Sequence, residues 1–433
     1  MTQPDKMLPI DAASSQLGVP VDTIRRWAAR GLLRCSRDAH NNRLFSKSEI
    51  KRVKTLYDKP KVSGKPRFKV LRSKATDKTS LELFAGAGGT ALGMANAGFK
   101  HLMLNEFNHN ACETLRHNKP KWNVVEGDVH NLSFDQYRGQ VTLLQGGVPC
   151  QAFSYAGKMR GFGDIRGTLF FEFARAISEC QPEVIMMENV KGLLTHDGGR
   201  TIATMLTRLI DLGYRVGVKI LRSQFLDVAQ KRERLIIIGV RNDLAYPILF
   251  PKQDRPLLTL WDAIGDVPKS EGASYSKRKR EIMDLVPPGG WWKDLPDDLQ
   301  REYLGRSYHL SNSRSANSGM ARRLAWNEPS LTLTCSPAQK MTERCHPDET
   351  RPLTIREYAR IQSFPDDWEF CGSRSSQYKQ IGNAVPVNMA YHVGRAIMAM
   401  LGVGDANDFV SVKPVTKQVA CSSELRKQAL MFD

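Results

Sequence analysis

The stretch TSLELFAGAGGTALGMANAG, residues 79–98, decides the fold. TSLELFA is short and apolar, the pattern of a buried strand. Glycines follow at 86, 88 and 89. Glycine allows a tight turn and close backbone approach to a ligand. GTALGMANAG then reads as a helix. Strand, glycine loop and helix in this order open a nucleotide-binding α/β unit, and Gly86-x-Gly88-x-x-Ala91 fits the loose dinucleotide fingerprint. The rhythm continues outward. HLMLNE is a strand and HNACETLRHN a helix, while NVVEGDV, VTLLQGGVP, EVIMMENV and RLIIIGV are further apolar, partly β-branched runs. The alternation predicts an α/β fold with a doubly wound, Rossmann-like sheet, whose site lies at the carboxyl ends of the strands. Glu106 ends the second strand and Asp128 the third. Carboxylates there suit ribose hydroxyls and an adenine amino group, so an adenosine-containing cofactor is expected. The loop alone does not choose NAD over S-adenosylmethionine.

The chain has 433 residues, enough for two or three domains, and 41% are hydrophobic. It has no run of about 18 uncharged apolar residues, so no membrane span is expected. MTQPDKMLPI lacks the apolar core of a signal peptide. Eight cysteines are scattered without a CxxC pair, which argues against a zinc site or a disulfide framework. A cytoplasmic setting without bound metal is the expectation. The formal charge is +18, unevenly spread: residues 1–80 hold 19 Lys/Arg against 7 Asp/Glu, and the rest 44 against 38. A basic unit of this kind usually meets a polyanion, most often nucleic acid.

That basic unit has its own logic. LPIDAASSQLGVP reads as a short helix, and VDTIRRWAARGLL as a second after a glycine-containing turn. Ile24, Trp27 and Ala28 share one face, with Arg25, Arg26 and Arg30 largely off it. This is a helix-turn-helix pattern. LLRCSRDAHNNRLFSKSEI, with Arg43, resembles the wing and third helix of the MerR-type winged domains. The resemblance implies DNA contact by Arg25, Arg26, Arg30 and Arg43.

VTLLQ is followed by GGVPCQAFS, residues 146–154, which sets a thiol on a turn almost free of bulk. A structural cysteine prefers a packed interior, whereas a nucleophilic one needs access. MENV, QKRERLIIIG, RPLTIREYARIQSFPDDW (351–368) and QIGNAVPVNMA follow. With LELFAGAGG, GGVPCQAFSYAG and RGTLFFEFAR (166–175), these seven blocks resemble the DNA (cytosine-5) methyltransferases, in that family's order and over nearly all of 79–400.

The resemblance implies a chemistry. Cytosine carbon 5 is a poor nucleophile until a thiolate adds at carbon 6, and Cys150 would supply that thiolate. Glu188 would hydrogen-bond ring nitrogen 3 and the exocyclic amine, and Arg232 and Arg234 would orient the base and the loop. The sequence does not identify the base that removes the carbon 5 proton. Phe84, Gly86, Gly88, Glu106, Asp128, Pro149, Leu169 and Asn383 would line the S-adenosylmethionine pocket. A cytosine inside a duplex must first be flipped out. SYAGKMRGFGDIRGT would close over the DNA, with Gln151, Ser154 and Arg166 among its contacts. Arg314 and Arg322 would touch DNA from the polar, loop-rich target-recognition region.

The expected organisation is a helix-turn-helix domain at 1–58 and a basic linker at 59–78. A catalytic domain at 79–248 is completed by 375–402, a small target-recognition domain spans 249–374, and 403–433 is a tail without signal. The expected activity is sequence-specific 5-methylcytosine formation in double-stranded DNA, near the nucleoid, with a restriction endonuclease as functional partner. A tRNA cytosine-5 methyltransferase and a transcription regulator are the alternatives. The N-terminal domain would either regulate transcription or aid targeting.

Overall fold

The computed structural model describes residues 5–17, 21–29, 33–57, 64–148, 169–305 and 319–431. The chain forms two compact units, one of residues 1–64 and 270–354, the other of 65–269 and 355–433.

The smaller unit begins with β1 (Met7–Pro9), α1 (Ile10–Leu17) and α2 (Val21–Ala29). β2 (Ser36–Arg37) and β3 (Arg43–Ser46) form a hairpin whose turn is closed by the Asp38 carboxylate, which accepts from the His40 and Asn42 amides. β3 also pairs with β1, and α3 (Lys47–Tyr57) follows. This is the expected pair of helices with a wing and a third helix. The buried side chains of this segment join those of 275–345 in one hydrophobic cluster. In the 270–354 part, the fully buried Glu343 is ion-paired to Lys279 at 2.6 Å and contacts the Tyr303 hydroxyl.

The larger unit carries the sheet. Its elements are β4 (Thr79–Leu83), α4 (Gly89–Ala97), β5 (Lys100–Glu106), α5 (His109–Asn118), β6 (Val124–Glu126), β7 (Leu143–Gly147), α6 (Leu169–Cys180), β8 (Val184–Val190), α7 (Arg200–Asp211) and β9 (Tyr214–Arg222). Short β10 (Gln230–Lys231), β11 (Glu233–Arg241) and β12 (Leu249–Pro251) follow. The seven-stranded order is β6-β5-β4-β7-β8-β11-β9. β4 through β8 pair in parallel, and β11 runs antiparallel to both β8 and β9. The fold is thus the expected doubly wound one with one reversed strand. Its connections turn back between β4 and β7, which opens a crevice at their carboxyl ends.

Strand alternation sorts the two faces. Leu81, Leu83, Leu144, Ile185 and Met187 pack under α6 and α7. Leu143, Val184, Met186, Ile236 and Ile238 pack with Met94 of α4 and with Met389 and Val393 of the C-terminal helix Val387–Met400. That helix crosses α4 on small residues: a Cβ on Gly93 would come within 2.4 Å of Ala390 Cβ, and one on Gly394 within 2.6 Å of Ala97 Cβ.

The unit boundaries differ from those expected. Residues 249–269 and 355–374 belong to the larger unit. Ion pairs explain why, since Arg67 holds Asp262 at 2.6 Å and Arg360 holds Asp266 at 2.5 Å. The basic linker is also pinned from residue 65 onward: the Leu71 amide donates to Asn388 Oδ1 at 3.0 Å, and Ser73 Oγ meets the Tyr391 hydroxyl at 2.8 Å. The described part of the stretch without sequence signal forms elements too. Phe409–Ser411 pairs antiparallel with β12, and Val415, Ala420, Leu425 and Ala429 join the core beside α7 and β9.

Candidate active site

The glycine loop leaves β4 through Phe84, whose φ of +60° is unusual for a bulky residue and marks a held conformation. Gly86 and Gly88 are also left-handed, at +54° and +86°, and Gly88 caps α4. The glycines serve different ends. A Cβ on Gly88 would sit 2.7 Å from Leu115 Cδ2, and one on Gly89 only 2.3 Å from the Val385 carbonyl oxygen. A Cβ on Gly86 would meet nothing within 4 Å, so the loop is open at that point.

Glu106 fastens this loop. Its Oε2 accepts from the Gly86 amide at 2.7 Å, and its Oε1 accepts from the Phe107 and Asn108 amides at 3.0 and 2.8 Å. Three of about four lone-pair sites are used, which leaves room for a hydroxyl donor. Asp128 stands exposed beyond β6, where its Oδ1 accepts from the His130 amide at 3.0 Å. That backbone bond, with the His130 ring at 2.7 Å, holds its carboxyl below the usual range. Leu169 opens α6 and is half-buried, and Asn383 ends the helix Arg374–Asn383 with its side chain exposed. The next two residues, Ala384 and Val385, lie directly against Gly89. The far end of the chain therefore forms the bed of the glycine loop. An open left-handed glycine loop, a fixed strand-end carboxylate and an exposed second carboxylate fit an adenosine-containing cofactor.

Sequence reasoning missed Phe107, which is 75% exposed immediately after Glu106. An aromatic residue following a strand-end acid was the available signal.

The chemical end forms where β7, β8 and β11 lie side by side. Gly147 pairs with Glu188 in the parallel register, and a Cβ on Gly147 would sit 3.3 Å from Glu188 Oε2. Arg234 Nε lies 2.6 Å from Glu188 Oε1, with both side chains largely buried. Asn189 Nδ2 donates to the Val148 carbonyl at 2.9 Å. β8 thus fixes the two residues that precede Pro149. Pro149, Cys150, Gln151, Ser154, Arg166, Arg30 and Arg314 lie outside the described residues, as does the side chain of Arg26.

Arg232 is placed differently from expectation. It is 1% exposed and donates Nη2 to the Gly382 carbonyl at 2.9 Å. It braces the turn before Asn383 from within, because a guanidinium this deep needs carbonyl acceptors. Arg25 is exposed on α2, Arg43 is half-buried on β3 and Arg322 is half-buried.

Two buried polar groups lie under the site. Glu82, 2% exposed on β4, accepts from Gln145 Nε2 at 2.5 Å. Burial pushes its carboxyl up to about 8, with the Glu106 charge adding to the rise and the Gln145 bond opposing it. His101 bridges Ser80 Oγ and the Ala91 carbonyl, each at 2.8 Å, and burial lowers it to about 4. Among the described residues, His109, Glu113 and Glu126 bring ligand atoms within 4.8 Å of one another. Arg116 pairs with both acids, and His109 with Glu126, so an ion-pair network accounts for the cluster.

Residues 79–399 match the C-5 cytosine-specific DNA methylases, and residues 8–58 match the MerR helix-turn-helix family of regulatory proteins. The chain belongs to the C-5 cytosine-specific DNA methylase family. It is 53% identical over 396 residues to the Type II methyltransferase M.Eco47II of Escherichia coli, covering 89% of this chain and 94% of that one. It is 51% identical over 335 residues to M.Sau96I of Staphylococcus aureus, covering 76% and 77%. A solved structure of a prophage-encoded Escherichia coli protein shares the fold with a TM-score of 0.55 at 23% identity, covering 75% of this chain and 99% of that one. The protein is accordingly a cytosine-5 DNA methyltransferase with a MerR-type segment at its N-terminus. Its family uses S-adenosylmethionine as methyl donor. Among the described residues no helix is long and apolar enough to cross a membrane.

Proposed function

We propose that the protein is the modification enzyme of a Type II system, and that it methylates carbon 5 of one cytosine within a specific duplex sequence. The observation that carries this reading is the Glu188 carboxylate beside Gly147, with Asn189 holding the Val148 carbonyl. Pro149 and Cys150 follow directly in the chain.

In this reading Glu106 takes the ribose hydroxyls, Asp128 the adenine amine, and Phe107 offers its ring to the adenine face. Phe84, Gly86, Gly88, Pro149, Leu169 and Asn383 shape the rest of the pocket. S-adenosylmethionine supplies the methyl group. Cys150 adds to carbon 6 of a flipped cytosine, which makes carbon 5 electron-rich; once carbon 5 carries the methyl group, a base takes the carbon 5 proton and the Cys150 thiolate is eliminated from carbon 6, restoring the ring. Glu188 hydrogen-bonds the edge of the base that carries ring nitrogen 3 and the exocyclic amine, and Arg234 positions Glu188. Arg232 acts at one remove, by fixing the Gly382–Asn383 turn. The functional partner we infer is a restriction endonuclease reading the same sequence, and the place of action is the nucleoid.

The test is bisulfite mapping of host DNA after expression. Protected cytosines at one shared sequence are expected, and Cys150→Ala should abolish them while DNA binding persists. Folded protein with no protected site would refute the reading.

A further inference from the structure

The N-terminal segment is built into the unit that contains 270–354. Among the described residues the segment does not close a separate core. Ile24, Trp27 and Phe45 instead share one continuous core with Met283, Trp292 and Met320. The two stretches form a single compact unit although more than 200 residues separate them in the chain.

The outward side of the same segment is basic. Residues 1–57 hold 11 Lys/Arg against 5 Asp/Glu, a net of +6, whereas 270–354 hold 13 against 11, a net of +2. Lys47, Lys51 and Lys54 recur on α3 at helical spacing and are exposed, while Ile50 and Val53 between them are buried. Arg34 and Arg37 are exposed beside the hairpin.

We infer that residues 5–57 are a second, sequence-independent DNA grip of this unit. They grip the phosphates of the same duplex that presents the cytosine, flanking the sequence read by 270–354. This inference rests on the DNA-methyltransferase reading above. The partner is one continuous duplex, and a separate operator is not needed. Contacts remote from the reacting base bind substrate and transition state alike, so they lower KM and leave kcat alone. Each phosphate contact also adds close to one unit to the salt dependence.

The test uses the full chain and two duplexes carrying one mapped site, one of about 14 bp and one of about 40 bp, little more than one helical turn against about four. The wild-type KM should be roughly tenfold lower for the long duplex. The exposed pair Lys47→Glu with Lys54→Glu should erase that difference, leave kcat and the short-duplex KM unchanged, and reduce the long-duplex salt slope by about 2. Equal wild-type KM values for both lengths would overturn the inference, as would a variant that weakens both duplexes alike. Simultaneous binding of a second, site-free duplex to enzyme saturated with the long one would overturn it too. If no methyl transfer occurs at all, the functional reading fails by itself, and filter binding of the same two duplexes still reads length and charge dependence.

Discussion

Arg234 Nε lies 2.6 Å from Glu188 Oε1 across two antiparallel strands that carry both residues at the rim of the sheet. The guanidinium fixes the carboxylate beside Gly147 before any base arrives. Arg234→Ala should lower kcat/KM for duplex DNA by on the order of 10²-fold, the size usual for loss of a preorganising charge. Arg234→Lys should restore little of it, because an ammonium does not reproduce the guanidinium geometry. Steady-state methyl transfer with tritiated donor measures both, and wild-type rates in either variant would contradict the positioning role.

Asn189 couples β8 to the chain just before Pro149 and Cys150 through the Val148 carbonyl. Asn189→Ala leaves that buried acceptor short of a donor, at a cost of about 1–3 kcal/mol. A kcat reduction of roughly tenfold or more, with little change in KM for the cofactor, is expected. An unchanged kcat would show that Val148 is held adequately without it.

Glu82 gives a pH dependence. Its carboxyl titrates near 8 in the folded chain because burial disfavours the charge. The unfolded chain releases that proton near the ordinary value of 4.5. Stability from this group is therefore full below about 4.5, declines as pH rises and is lost through about 8, at roughly 1.4 kcal/mol per pH unit within the window. Glu82→Gln keeps an amide able to bond Gln145 and removes the titration. Urea midpoints at pH 6 and pH 9 should diverge for the wild type more than for the variant, and parallel shifts would exclude the assignment.

The glycines of the loop should separate by assay. Gly89→Ala forces a methyl group to 2.3 Å from the Val385 carbonyl, so stability should fall by about 1–3 kcal/mol. Gly86→Ala meets no atom but must adopt a φ of +54°, which costs about 1 kcal/mol of strain. Thermal melts with and without S-adenosylmethionine distinguish them: Gly89→Ala should lower the melting temperature of the free chain more than Gly86→Ala does.

The parts legible in the sequence were local ones. Strand, glycine loop and the acid at the end of β5 lie within 28 residues, and each obeys a short-range rule. The burial of Arg232 was not legible, because its acceptor, the Gly382 carbonyl, is 150 residues away. The limits of the small unit were misjudged for a similar reason. Residues 249–269 are polar and loop-like, yet Arg67 and Arg360 bind their aspartates into the larger unit. The C-terminal segments escaped notice because helices of four and seven residues show too few turns for periodicity to emerge.

The Val385 carbonyl against Gly89 has a consequence for biosynthesis. A ribosome releases the glycine loop early and its bed last, so no nascent chain owns a finished cofactor pocket. Termination between Arg234 and Ala384 yields a chain that still carries its basic N-terminal segment and both Glu188 and Arg234 but lacks the bed of the glycine loop. The glycine loop thus waits for a partner made about 300 residues later in synthesis before its bed is complete.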